Sequence, residues 1–132
     1  MKLVISRVEA TEAAPFLASR LSTRTDTSGG LQSVAEKIDG CQCFRVNDEA
    51  GALVGYYALS VILRASGAEV VIAAAAGTLA VGDLTATLLP FVEGQALGAK
   101  LMTVHTRRKG LLAKLRAAGW DFGGYIMHKG LA

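Results

Sequence analysis

The chain has 132 residues, enough for one hydrophobic core and too few for two. Apolar residues make up 52% of it and the mean hydropathy is +0.38, which excludes a disordered chain. The net charge of +3 is only mildly basic, and the apolar runs between Glu69 and Asp83, 13 residues, and between Glu49 and Arg64, 14 residues, are too short for a membrane span.

Residues 2–8 read as a first strand. Thr11 can cap a helix starting at Glu12, with Pro15 in the tolerated first turn and Phe16, Leu17 and Leu21 on one side. Residues 23–30 are polar and end in glycine, so they form a loop. A second, short helix over 31–38 carries Leu31, Val34 and Ile38 at helical spacing, and Gly40 ends it. Strands over 41–46 and 52–63 flank the turn-rich segment 47–51, which predicts a hairpin with Tyr56 and Tyr57 on opposite faces of its second strand.

A short turn over 64–68 leads to the unbroken apolar strand 69–76, the pattern of a strand buried on both faces. Its alanines, residues 73–76, are small for a core and leave room for either a helix or a ligand. After a loop over 77–82, Asp83 can cap a helix from Leu84 with Leu88, Leu89 and Val92 as its buried stripe. Pro90 should kink that helix or end its first part, and Gly94 and Gly98 close it.

Residues 100–105 alternate as a half-buried strand, with Leu101, Thr103 and His105 on one face. Thr106 can cap the next helix, where Leu111, Leu112, Leu115 and Ala118 recur, and Gly119 suits a left-handed C-cap. Residues 120–127 hold two glycines and three aromatics and read as a last strand. The order β-α-α-β-β-β-α-β-α-β makes an α/β (α+β) protein, one mixed sheet with helices on both faces, and a single domain over 1–132.

From Lys100 onward there are seven cations (100, 107, 108, 109, 114, 116 and 129) against the one acid Asp121. Arg107, Arg108 and Lys109, placed in the first turn of a helix, would oppose its dipole, so helix formation gives no reason for them. With free backbone N–H groups they would make an anion site, and the alternative is a solvated cluster that tolerates a small penalty. Nucleic acid is not expected as a partner, because the aromatics do not interleave with the basic residues. Cys41 and Cys43 are too close to bridge without strain and lack enough histidines for zinc, so buried thiols and no metal site are expected. The N-terminus lacks the long apolar run of a signal peptide, and no membrane segment is present, so a soluble, cytoplasmic protein is expected.

The order of elements, clearest from Cys41 to Leu131, resembles the GNAT superfamily of N-acyltransferases. The matching pieces are the hairpin 41–63, the central strand 69–76, the helix 83–97, the strand 101–105, the helix 107–118 with Gly119-Trp120, and the strand 122–127. The resemblance implies an acyl-CoA cleft where the strands 69–76 and 101–105 part, lined by Ala74, Ala75, Ala76, Gly77 and Gly82, with Arg108 helping to hold acetyl-CoA. The sequence departs from the family's pattern in its phosphate loop. Residues 77–83 have two glycines but neither an Arg or Gln nor Gly-x-Gly spacing, and Asp83 would repel a pyrophosphate. Leu115 stands where the family places a tyrosine acid, and Arg108 stands where it places an asparagine.

His105 ends a strand beside the implied cleft and is the base of suitable basicity, and Glu69 lies where family enzymes place a basic carboxylate. Their bland alternatives are a strand-end histidine bonded to backbone and a solvated carboxylate. Two functions follow. One is an acyl-CoA-dependent N-acyltransferase with a degenerate phosphate loop, acting on a small-molecule or protein amine. The other is a non-catalytic GNAT-fold binding or structural protein without a cofactor, similar to bacteriophage-encoded virion components, that self-associates through apolar sheet edges or meets a protein partner through Arg107, Arg108 and Lys109.

Overall fold

The computed structural model describes residues 2–21, 28, 30–78, 84–96 and 98–131. Five strands form one sheet in the order β1-β2-β3-β4-β5: β1 (Leu3–Val8), β2 (Gln42–Asp48), β3 (Leu53–Arg64), β4 (Gly67–Gly77) and β5 (Leu101–Val104). The first four pair antiparallel, and β5 joins β4 in parallel across α3 (Leu84–Gln95). Parallel pairing requires such a crossover, so the strand–helix–strand unit is β4-α3-β5.

The hairpin at 47–51 forms as expected. Asp48 closes it by accepting hydrogen bonds from the Ala50 and Ala52 N–H groups at 2.9 Å each, and Gly51 takes the left-handed conformation at φ 88°. Tyr56 and Tyr57 then point to opposite sides of β3 and belong to separate cores. One core holds Leu3, Val46, Tyr57, Leu59 and Val70 against Leu88 and Val92 of α3. The other holds Tyr56, Ala58, Ala73 and Ala74 against α1 (Ala10–Arg20) and α2 (Val34–Ile38), through Ala13, Leu17 and Ile38. Helices therefore cover both faces, as the apolar periodicity implied.

Several local expectations need correction. Helix α1 begins two residues before Glu12, with Glu9 as N-cap; the Glu9 carbonyl accepts from Glu12 N–H at 3.0 Å. Thr11 lies inside the helix and Pro15 in its interior rather than its first turn. Helix α2 begins at Val34, not at Leu31, which is exposed. Its start is a capping box: Ser33 Oγ accepts from Glu36 N–H at 3.2 Å, and Glu36 Oε1 accepts from Ser33 N–H at 3.1 Å. Helix α3 continues through Pro90 without ending there. The cap expected from Asp83 lies outside the described residues.

Helix α4 (Lys109–Ala117) starts two residues later than the spacing predicts. Thr106 does not cap it. Its Oγ1 accepts from the Arg108 N–H at 3.1 Å, a local turn that holds Arg108 extended as the N-cap residue. Arg107 and Arg108 thus stand before the helix, and only Lys109 faces the unfavourable end of its dipole. The helix end matches expectation: Gly119 has φ 93°, its N–H bonds the Arg116 carbonyl at 3.1 Å, and the Trp120 N–H bonds the Leu115 carbonyl at 3.0 Å. The last strand expected over 120–127 does not form. Those residues join no sheet among the described residues, and all but half-buried Trp120 are exposed.

Candidate active site

The site begins with a mismatch in register. Ala58 pairs with Ala74, and Leu59 pairs with Ile72, so Ala73 is an extra residue on β4. A bulge of this kind bends the strand that carries it. The parallel ladder of β4 with β5 stops at the same level, its last pair being Ile72 with Val104. Beyond it, residues 73–77 continue beside β3 with no strand on their other edge among the described residues, while β5 gives way to His105. The result is a gap with one wall of unpaired β4 backbone and one wall formed by the chain after Val104.

The side chains along residues 73–77 are methyl groups or hydrogen, so the free edge can be approached closely. The bulge distributes them unevenly. Ala73 and Ala74 are buried under α1 and α2, Ala75 is exposed on the opposite face, and Ala76 and Gly77 are half-buried. The neighbouring strand lies tight against this segment: a Cβ on Gly55 would stand 2.9 Å from Gly77 Cα and closer still to the Ala76 carbonyl oxygen. Gly82 and the rest of 79–83 lie outside the described residues. Helix α3 follows β4 in the chain and has no acid in its described first turn, while Asp83, directly before it in sequence, lies outside the described residues.

Glu69 and His105 lie on the same side of the sheet, close enough for the histidine to help lower the carboxyl pKa. Glu69 is otherwise engaged. Its Oε2 accepts from Thr103 Oγ1 at 2.7 Å, and its Oε1 accepts from Arg64 Nε at 2.8 Å and pairs with the same guanidinium at 2.6 Å. Bonds from Thr103 and Arg64 hold its pKa below the usual carboxylate value. A carboxylate so held stays ionised and is a weak proton acceptor; here it ties β4, β5 and the β3–β4 turn together. His105 is exposed at the mouth of the gap. Arg108 is exposed as well, and among the described residues it makes no ion pair.

Other polar groups belong to the walls. Tyr57 is fully buried, stacks on Phe44 with ring centroids 5.0 Å apart, and donates its hydroxyl to Gln95; burial pushes its pKa up to about 12. Glu12 accepts from Arg45 at 2.9 Å and from the Tyr56 hydroxyl at 2.8 Å, a cluster one strand away from Ala76 that no sequence pattern reveals, because Arg45 and Tyr56 lie 33 and 44 positions from Glu12. Both cysteines are free thiols, Cys43 buried and Cys41 half-buried, and burial raises the pKa of each. No helix is long and apolar enough to cross a membrane among the described residues.

No family model matches the sequence, and no curated protein is similar enough to count as a relative. Solved structures do match across the whole length. A protein of Pyrococcus furiosus assigned as an acetyltransferase superposes with a TM-score of 0.69 at 14% identity, covering 98% of this chain and 100% of its own. A GNAT family acetyltransferase of Staphylococcus aureus gives 0.63 at 13% identity, covering 99% and 100%. AAC(6')-Iy, in complex with the bisubstrate analogue CoA-S-monomethyl-acetylneamine, gives 0.61 at 14% identity, covering 100% and 99%. The chain has the GNAT fold.

Proposed function

We propose that this chain is an acyl-CoA-dependent N-acyltransferase acting on a small-molecule or protein amine, with its site in the gap between β4 and the chain after β5. The observation that carries this reading is the free edge of residues 73–77, which begins at the Ala73 bulge, where the ladder with β5 ends one residue before His105. Coenzyme A is the group such a fold implies, and the residues present suit it. An unpaired strand edge offers amide groups for a peptide-like chain to pair with, and small side chains leave it open. The match with AAC(6')-Iy, which holds a coenzyme A analogue, supports the same reading.

When bound, acetyl-CoA supplies an acyl group already activated as a thioester. The chain's part is positional and electrostatic. Backbone groups of Ala74, Ala75, Ala76 and Gly77 hold and polarise the acyl end. Arg108, exposed and without an ion-pair partner among the described residues, supplies a mobile cation for phosphate in place of the usual loop. His105 accepts the proton that the attacking amine loses, through an imidazole nitrogen. Glu69 keeps β5 seated against β4 so that His105 stays at the mouth of the gap.

Isothermal titration with acetyl-CoA and with free coenzyme A tests the reading. Micromolar binding is expected. Arg108→Ala should weaken it about tenfold, and His105→Ala should leave it unchanged while lowering transfer to an amine on the order of 100-fold. An absence of heat at millimolar ligand would sink the proposal.

A further inference from the structure

Helix α4 and the segment that follows it present cations and apolar side chains side by side. Lys109 and Arg116 stand about two turns apart on the helix, and both are exposed. The Arg116 guanidinium lies over the Phe122 ring at 5.1 Å, and Phe122 stacks with Tyr125, ring centroids 6.2 Å apart. These contacts hold the start of the segment against the basic helix. Beyond Trp120 the chain joins no helix or strand among the described residues. It exposes Phe122, Tyr125, Ile126, Met127 and Leu131, with Met127 at 93% and Leu131 at 90%.

The charge is as one-sided as the apolar exposure. From Lys100 onward there are seven cations against Asp121. Lys109, Arg116 and Lys129 are exposed and make no ion pair among the described residues. Cations beside exposed apolar groups complement a surface that is negative outside and apolar beneath. A nucleic acid would neutralise the cations and stack on Tyr125, yet leave Ile126, Met127 and Leu131 in water. An anionic bilayer accounts for both kinds of side chain.

We propose that α4 and residues 122–131 dock on an anionic lipid bilayer. Lys109, Arg116 and Lys129 meet the negative headgroups, and the exposed apolar side chains settle between them. The backbone beyond Trp120 has no ladder or helical pairing, so it stays at the level that water reaches and does not enter the hydrocarbon. Aromatic rings such as those of Phe122 and Tyr125 favour that interfacial level. Among the described residues no helix is long and apolar enough to cross a membrane, so the contact is peripheral and reversible. It uses neither the gap beside β4 nor coenzyme A, so its fate and that of the acyltransferase reading are measured separately.

Cosedimentation of the full chain with vesicles tests it, comparing phosphatidylcholine alone with a mixture of phosphatidylcholine and phosphatidylserine. Binding to the mixed vesicles only is expected, weakening as salt is raised from about 0.1 M to 0.5 M. Lys109→Gln combined with Lys129→Gln should weaken it about 25-fold, since each cation near such a surface is worth about fivefold. Met127→Ser combined with Leu131→Ser should weaken it at least about tenfold and leave the salt dependence in place. All four side chains are exposed, so the fold should survive, as circular dichroism would check. Equal binding to both vesicles, binding to neither, or full binding by both variants overturns the proposal. A single-stranded oligonucleotide that strips the protein from the vesicles at equal phosphate concentration also overturns it, in favour of nucleic acid.

Discussion

Glu69 shows how one side chain can join parts of the chain that its neighbours in sequence do not reveal. Arg64 is five residues away across the β3–β4 turn, and that pairing follows from the turn alone. Thr103 is 34 residues away and meets Glu69 because α3 returns the chain parallel to β4. Both bonds favour the ionised form, so the folded-state pKa is lowered from 4.5. The stability they add is present above that value and is lost as pH falls through the lower folded value. Glu69→Gln should accordingly lower the melting temperature at neutral pH, and the gap to the unsubstituted protein should close as the pH drops to about 3. Equal gaps at both pH values would remove this account. The sequence placed Glu69 and His105 near one cleft, but how far each is already engaged depends on Arg64 and Thr103.

Elements were most legible where their ends are governed locally. Gly119 marks the end of α4 because the left-handed cap needs a residue without a Cβ, and the hairpin over 47–51 follows from Asp48 and Gly51. The start of α2 was equally local but was placed too early, since Leu31 fits the helical spacing and the Ser33–Glu36 box lies inside it. Ser33→Ala should cost about 1 kcal/mol of unfolding free energy, measured by denaturant titration, and hydrogen exchange should show α2 opening first. No change in either would mean that Ile38 alone holds the helix. The cluster 107–109 was misplaced for a related reason. Thr106 bonds a backbone N–H two residues on, which keeps Arg107 and Arg108 out of the helix whose dipole they would oppose.

At the scale of the whole molecule, the alanine run divides between two roles. Ala73 and Ala74 make room for α1 and α2, while Ala75 is left open on the other face beside the gap. Ala74→Leu should therefore destabilise the fold by about 1–3 kcal/mol through overpacking. Ala75→Leu should stay within about 0.5 kcal/mol in stability yet weaken acetyl-CoA binding at least about tenfold. Denaturant melts and titration calorimetry on the two variants separate these roles; identical behaviour would contradict the division. Composition, apolar periodicity and glycine placement by themselves determined the kinds of element, their order to the end of α4 and the two-faced sheet, because those depend on short-range sterics and on which residues leave water. Only the tertiary structure decided where the ladder of β4 and β5 stops, which alanines a helix covers, and that the last apolar segment stays off its own sheet. A bulge, an edge and a strand without a partner are properties of pairing between distant segments, and no local pattern encodes which segment will pair.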